Sequence, residues 1–215
     1  MSLSKCRSIG VDPAYHITSS ITAPARLFRI TSDKFFEDEA QSSRLLRTGI
    51  DLSFIDGMHL SEYVLRDFIN VEKWCNPEGV IVIDDVLPEQ MEMAARDREY
   101  NAWCGDVYKL IPALRKYRPD LEVRVFEAFI GPYRKGLAVI KNLDPKNTTL
   151  SEKYDEISAG MIGHAYNVDS IKALEDLVQV TWDIDFEAYI ASLSAPKRSI
   201  TGIIKPAEAM VTSEA

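Results

Sequence analysis

Acidic residues close four short apolar runs in this chain. Asp12 follows Cys6–Val11, and Ser32-Asp33 follow Arg26–Thr31. Asp56 follows Asp51–Ile55, and Asp84-Asp85 follow Gly79–Ile83. Open parallel α/β sheets bind ligands outside the carboxyl ends of their strands, so carboxylates there can meet a ligand. Asp12 is placed to accept two hydrogen bonds from a ribose diol. Taken alone, Asp12-Pro13 reads equally well as a turn. Asp56, Asp84 and Asp85 form the sharper group. If their strands are neighbours ~4.8 Å apart, three carboxyl groups converge on one rim. They cannot stay ionised together without a compensating cation. Oxygen donors favour Mg²⁺, Mn²⁺ or Ca²⁺ over zinc. Each Asp singly reads as a helix cap or turn residue; the three together read as a metal rim. His59 lies three residues after Asp56, and Gly57 lets the chain turn back. A histidine there can serve as general base near neutral pH. His16 and His164 have no such context and read as surface or satisfied histidines.

Alternating strands and helices must carry these residues. Leu60, Val64, Phe68, Val71 and Trp74 recur at spacings of three or four, the stripe of one amphipathic helix. The turn Asn76-Pro77-Glu78-Gly79 is expected to stop it. A second helix is expected from Asp106 as N-cap, limited or kinked by Pro112. Two further strands, Glu122–Ala128 and Gly136–Lys141, are joined by the short Gly131–Lys135 link and should pair antiparallel. Residues 150–190 have a helical pattern. The last residues, 195–215, read as a loosely packed tail, within which Ser199–Lys205 has the composition of a short strand. The class is therefore α/β.

Composition narrows the partners. The 215 residues carry 25 Lys+Arg against 33 Asp+Glu, a net charge of −8. Such a chain lacks the basic footprint of a nucleic-acid binder. No apolar run reaches the ~18 residues of a membrane span, and residues 1–13 contain no apolar signal core. Three cysteines, Cys6, Cys75 and Cys104, show no metal spacing and read as reduced, mostly buried thiols of a cytoplasmic protein.

The segment from Asp51 to Pro88, DLSFIDGMHLSEYVLRDFINVEKWCNPEGVIVIDDVLP, closely resembles class I S-adenosylmethionine-dependent methyltransferases. The nearest groups are the metal-dependent O-methyltransferases of the catechol and macrolide-sugar types and the methyltransferase domain 24 family. SIGVDP resembles that family's second strand, RITSDKFF its third strand and loop, and WCGDVYKLIPAL the helix before its antiparallel strand pair. The resemblance runs from about residue 6 to residue 143. It implies a Rossmann-like sheet, mostly parallel, with an antiparallel pair at one edge. Residues 1–145 would form that domain, 146–194 a helical extension and 195–215 the tail. It further implies that Asp12 binds the ribose of S-adenosylmethionine, that Ser32 and Asp33 border the adenine, and that Asp56 adjoins the cofactor. Asp56, Asp84 and Asp85 would match the ligands of Mg²⁺ or a similar divalent cation, and His59 the macrolide-sugar enzymes' base. The implied reaction is metal-assisted O-methylation of a small hydroxylated metabolite or sugar. The implied partner is a small-molecule acceptor; a homo-oligomer stays open.

One departure accompanies the resemblance. The family's first strand and glycine-rich loop should precede Cys6, and only five residues do. That strand lies between the second and fourth strands of the family's sheet, so the sheet is expected to be gapped or rearranged. Three explanations stand open: a fragment or misplaced start, a slot filled by another chain or by the SITGIIK tail, and a degenerate relative. The expectation for the chain alone is weak or no binding of S-adenosylmethionine. The competing functional readings are a catalytically inactive interaction module and, with less support, a metal-dependent glycosyltransferase.

Overall fold

The computed structural model describes residues 6–100 and 102–193. The chain opens with β1 (Ser8–Val11) and β2 (Ala25–Phe28), paired in parallel. A helical stretch begins at α1 (Ser32–Lys34), widens through Phe35–Glu39 and tightens through Ala40–Ser42. Then come β3 (Ile50–Ile55), α2 (Ser61–Glu72) and β4 (Cys75–Asp84). After a long irregular passage follow α3 (Leu110–Tyr117), β5 (Glu122–Phe126) and the small hairpin β6 (Phe129–Ile130) and β7 (Tyr133–Arg134). β8 (Leu137–Lys141) precedes α4 (Thr149–Glu152), α5 (Tyr154–Ile162), α6 (Ile171–Val178) and α7 (Phe186–Ser192).

The main sheet has the order β3-β4-β8-β5. β3 and β4 are parallel, with Ile55 opposite Ile83; β8 runs antiparallel to both β4 and β5. The expected antiparallel pair of 122–128 and 136–141 thus forms one edge of the sheet. Its link is not an open loop: Gly131 and Pro132 turn the β6–β7 hairpin, with Ile130 opposite Tyr133. This is an α/β fold, with β1–β2 hydrogen-bonded apart from the four-stranded sheet. Among the described residues β3 has no strand on its outer edge, and Leu52 and Phe54 are 67% and 57% exposed.

Alternation along the strands divides the core. Ile81, Ile83, Val125 and Ile140 face Val64, Leu65 and Phe68 of α2 and Leu110, Ile111 and Leu114 of α3. α5 and α6 add Ile157, Met161, Leu174 and Val178 to that same core. On the opposite face Val80, Val82, Phe126 and Val139 meet Phe186 and Tyr189 of α7. Each fully buried side chain of this size contributes about 1.5–3 kcal/mol.

Two local expectations are corrected. The segment Asn76–Gly79 is the start of β4 rather than a turn. Ile50 pairs with Cys75, and the register shifts before Leu52 meets Val80, so a bulge absorbs the extra residues. Asn76 Nδ2 donates to Asp51 Oδ1 across that bulge at 2.5 Å. α2 has already ended at Glu72, capped by Lys73. Asp106 does not cap its own helix. Its Oδ1 accepts from the Ser61 N–H at 2.9 Å, so it caps α2, 45 residues earlier in sequence. Pro112 sits in the first turn of α3, where its missing N–H costs no helical bond. Cys6 is exposed while Cys75 and Cys104 are buried. The tail 195–215, with Ser199–Lys205, lies outside the described residues. Among those described, no helix is long and apolar enough to cross a membrane.

Candidate functional site

β3 and β4 end side by side, so Asp56 and Asp84-Asp85 emerge at one rim. Asp85 is 2% exposed and has φ 64°, and His59 has φ 53°. Left-handed backbone costs roughly 1 kcal/mol at such residues and turns their side chains back on the strand ends. His59 Nε2 lies 3.0 Å from Asp56 Oδ1 and 3.0 Å from Asp85 Oδ2. Its Nδ1 is 3.1 Å from the Trp103 carbonyl, which can only accept, so Nδ1 carries a proton. Burial opposes the charged ring. The Asp56 hydrogen bond, the charges of Asp85 and Asp56 and the Trp103 carbonyl outweigh it and raise the His59 pKa. Trp103 stacks on the ring at 5.2 Å. Gly105 makes this approach possible: at φ 61°, a Cβ on it would lie 1.7 Å from the His59 carbonyl oxygen.

Ligand atoms of Asp56, His59 and Asp85 all lie within 4.8 Å of one another. Two carboxylate oxygens and an imidazole nitrogen are donors suited to a divalent cation such as Mn²⁺ or Mg²⁺. Asp84, the third expected acid, is buried beside them but not in this group; its Oδ1 accepts the Asp85 N–H at 2.9 Å. Burial pushes its pKa up to about 6, against that hydrogen bond and with the charges of Asp85 and Asp56 adding to the rise. The rim therefore brings together Asp56, Asp85 and the expected base His59, with Asp84 bracing the Asp85 backbone.

A residue that spacing did not point to completes the rim. Lys135 Nζ donates to Asp85 Oδ1 at 2.7 Å and to the Trp103 carbonyl at 3.0 Å. Burial lowers the pKa of this ammonium less than Asp85 raises it, and the net direction is upward. Lys135 sits 50 residues from Asp85, at the foot of the β7 hairpin arm, where a lysine before a glycine is an ordinary turn residue. Trp103, equally unforeseen, has one sequence signal, Gly105 two residues later.

The expected cofactor residues lie on the neighbouring strands. Asp12, exposed at the end of β1, accepts from the Ala14 N–H through Oδ1 at 2.6 Å. It lines a cleft of about 330 Å³ with Gly10, Val11, Tyr15 and Leu27. The Asx turn engages one oxygen and leaves Oδ2 for a ligand. Ser32 and Asp33 open α1, whose cap Thr31 accepts from the Lys34 N–H. Asp33 Oδ2 receives Arg66 Nη2 at 2.6 Å, while its buried Oδ1 has no partner. Ser32 donates to Asp67 of α2. Neither Ser32 nor Asp33 lines the Asp12 cleft.

Residues 6–86 match the family model described as a methyltransferase domain. That stretch holds β1 to β4 and, within it, Asp12, Ser32, Asp33, Asp56, His59, Asp84 and Asp85. No curated protein matches the chain. Among solved structures it is similar to cofactor-bound Rv0187 from MTB, at 16% identity and TM-score 0.43 over 59% of this chain and 52% of that one. It is also similar to the O-methyltransferase TomG from Streptomyces achromogenes, involved in tomaymycin synthesis and solved in complex with SAM. There the identity is 15% and the TM-score 0.41, over 56% of this chain and 51% of that one. The chain spans about half the length of these structures.

Proposed function

We propose that this protein is an S-adenosylmethionine-dependent O-methyltransferase acting on a small hydroxylated metabolite or sugar, assisted by a divalent cation. The observation that carries the reading is the group of Asp56, His59 and Asp85 at the carboxyl rim of two parallel strands, inside the segment that matches a methyltransferase domain. Asp12 offers Oδ2 to the ribose, and Ser32 and Asp33 would border the adenine. Asp56 and Asp85 are the residues that would hold the cation, which when bound would acidify an acceptor hydroxyl. The Trp103 carbonyl keeps the His59 proton on Nδ1. The neutral ring then presents its Nε2 lone pair to the rim, where it can take the hydroxyl proton. Trp103, stacked on that ring, covers it on one side and limits access of water.

The test is a titration of the full-length protein with S-adenosylmethionine, followed by assay of S-adenosylhomocysteine release with hydroxylated acceptors and Mg²⁺. Binding should weaken about tenfold or more in Asp12→Ala, the loss of one good polar pair. Methyl transfer should fall ~100-fold or more in His59→Ala, while cofactor affinity stays near the parent's. Absence of S-adenosylmethionine binding would overturn the reading.

A further inference from the structure

Both carboxylate oxygens of the buried Asp85 are already taken by cations of the chain itself: Lys135 on Oδ1 and His59 on Oδ2. His59 can release its Nε2 proton, and with it its charge, when an ion enters. Lys135 carries a fixed charge and can only repel one. We propose that Lys135 is a tethered competitor for the cation site, so that a divalent ion binds Asp56 and Asp85 only by drawing Asp85 away from the Lys135 ammonium. This rests on the cation role assigned above and adds the residue that sets its strength.

The placement of Lys135 is enforced by backbone as well as charge. Its N–H donates to the Ala128 carbonyl at 2.8 Å, and its own carbonyl accepts from the Leu87 N–H at 2.8 Å. Leu87 lies two residues beyond Asp85, so the hairpin arm is bound directly to the segment that presents the carboxylate. Gly136 follows at φ 69°, and a Cβ on it would come within 2.2 Å of Leu87 Cβ. The Lys135 side chain is 11% exposed, so it is enclosed at the rim rather than free to swing into solvent. The Trp103 carbonyl receives both Lys135 Nζ and His59 Nδ1, which locks the two cations to one anchor. A dication arriving within a few ångströms of that ammonium meets repulsion of the size that normally shifts pKa values in clustered sites.

The experiment is calorimetric titration of Mn²⁺ into the metal-free full-length protein, the Lys135→Met variant and the Lys135→Arg variant. Lys135→Met should bind Mn²⁺ ~10-fold more tightly or better, and Lys135→Arg, which keeps the charge, should not. Unchanged or weaker binding in Lys135→Met, with Mn²⁺ bound by the parent, overturns the competition and leaves the cation role standing. No binding by either protein overturns both. Should Lys135→Met be unfolded without metal, Mn²⁺ must restore its circular dichroism spectrum; failure to do so also overturns the proposal.

Discussion

At the residue scale, charge that the fold holds away from water is the main theme. Asp67 of α2 illustrates it away from the rim. Burial raises its pKa above the ordinary 3.8, against the Ser32 hydrogen bond, and the Asp33 charge adds to the rise. The folded state therefore binds that proton more tightly than the unfolded chain does. The resulting cost is absent below the unfolded value and present in full once pH exceeds the raised one. Asp67→Asn keeps an oxygen for the Ser32 hydroxyl and removes the charge. It should raise the melting temperature at pH 7 and lose that advantage near pH ~3.5, where both side chains are neutral. Thermal scans at the two pH values decide it; a lower melting temperature for the variant at pH 7 would refute the account. The site residues differ in how readable they were. Asp56, Asp84 and Asp85 stand directly after apolar runs, so strand period alone puts them at a rim, and His59 follows Asp56 by three residues. Lys135 carries no such mark, because only the return of a hairpin 50 residues later brings it to Asp85.

At the element scale, the apolar periods of α2, β3, β5 and β8 made those elements legible, since burial on one or two faces fixes the pattern. What the pattern missed were places where a tertiary partner overrides a local signal. Asn76-Pro77-Glu78-Gly79 has turn composition, but β3 alongside recruits it as a bulged strand. Asp106 has an N-cap's composition and caps a helix far away in sequence instead. The β6–β7 hairpin is the element on which the rim most depends. Gly136→Ala would ask for a left-handed alanine and push a methyl group into Leu87. The strain and the clash together should cost about 2–4 kcal/mol, read as a lower urea midpoint. Because Lys135 is the preceding residue, its pairing with Asp85 should loosen as well. Equal stability of Gly136→Ala and the parent would show that the arm is free to move.

At the scale of the whole molecule, the two ends of the main sheet's cover are tied by one buried ion pair. Arg118, after α3, is 1% exposed and donates to Glu72 Oε2 at the end of α2 at 2.8 Å. Its Nε and Nη2 grip Asp120, leading into β5, and Glu72 Oε1 accepts from the Asp144 N–H beyond β8 at 3.1 Å. Three segments distant in sequence, around Glu72, Arg118–Asp120 and Asp144, therefore meet at one ion pair. A fully formed pair of this kind offers little net stability over an apolar replacement, whereas half of one is costly. Arg118→Met should destabilise the protein by about 3–5 kcal/mol, because Glu72, 4% exposed, keeps its charge without a partner. Glu72→Leu combined with Arg118→Met should recover much of that loss, since the exposed Asp144 can turn its N–H to water. Urea unfolding of the two variants and the parent measures both effects. If the double variant is as unstable as Arg118→Met alone, the pair acts through packing of the guanidinium rather than through the charge left behind.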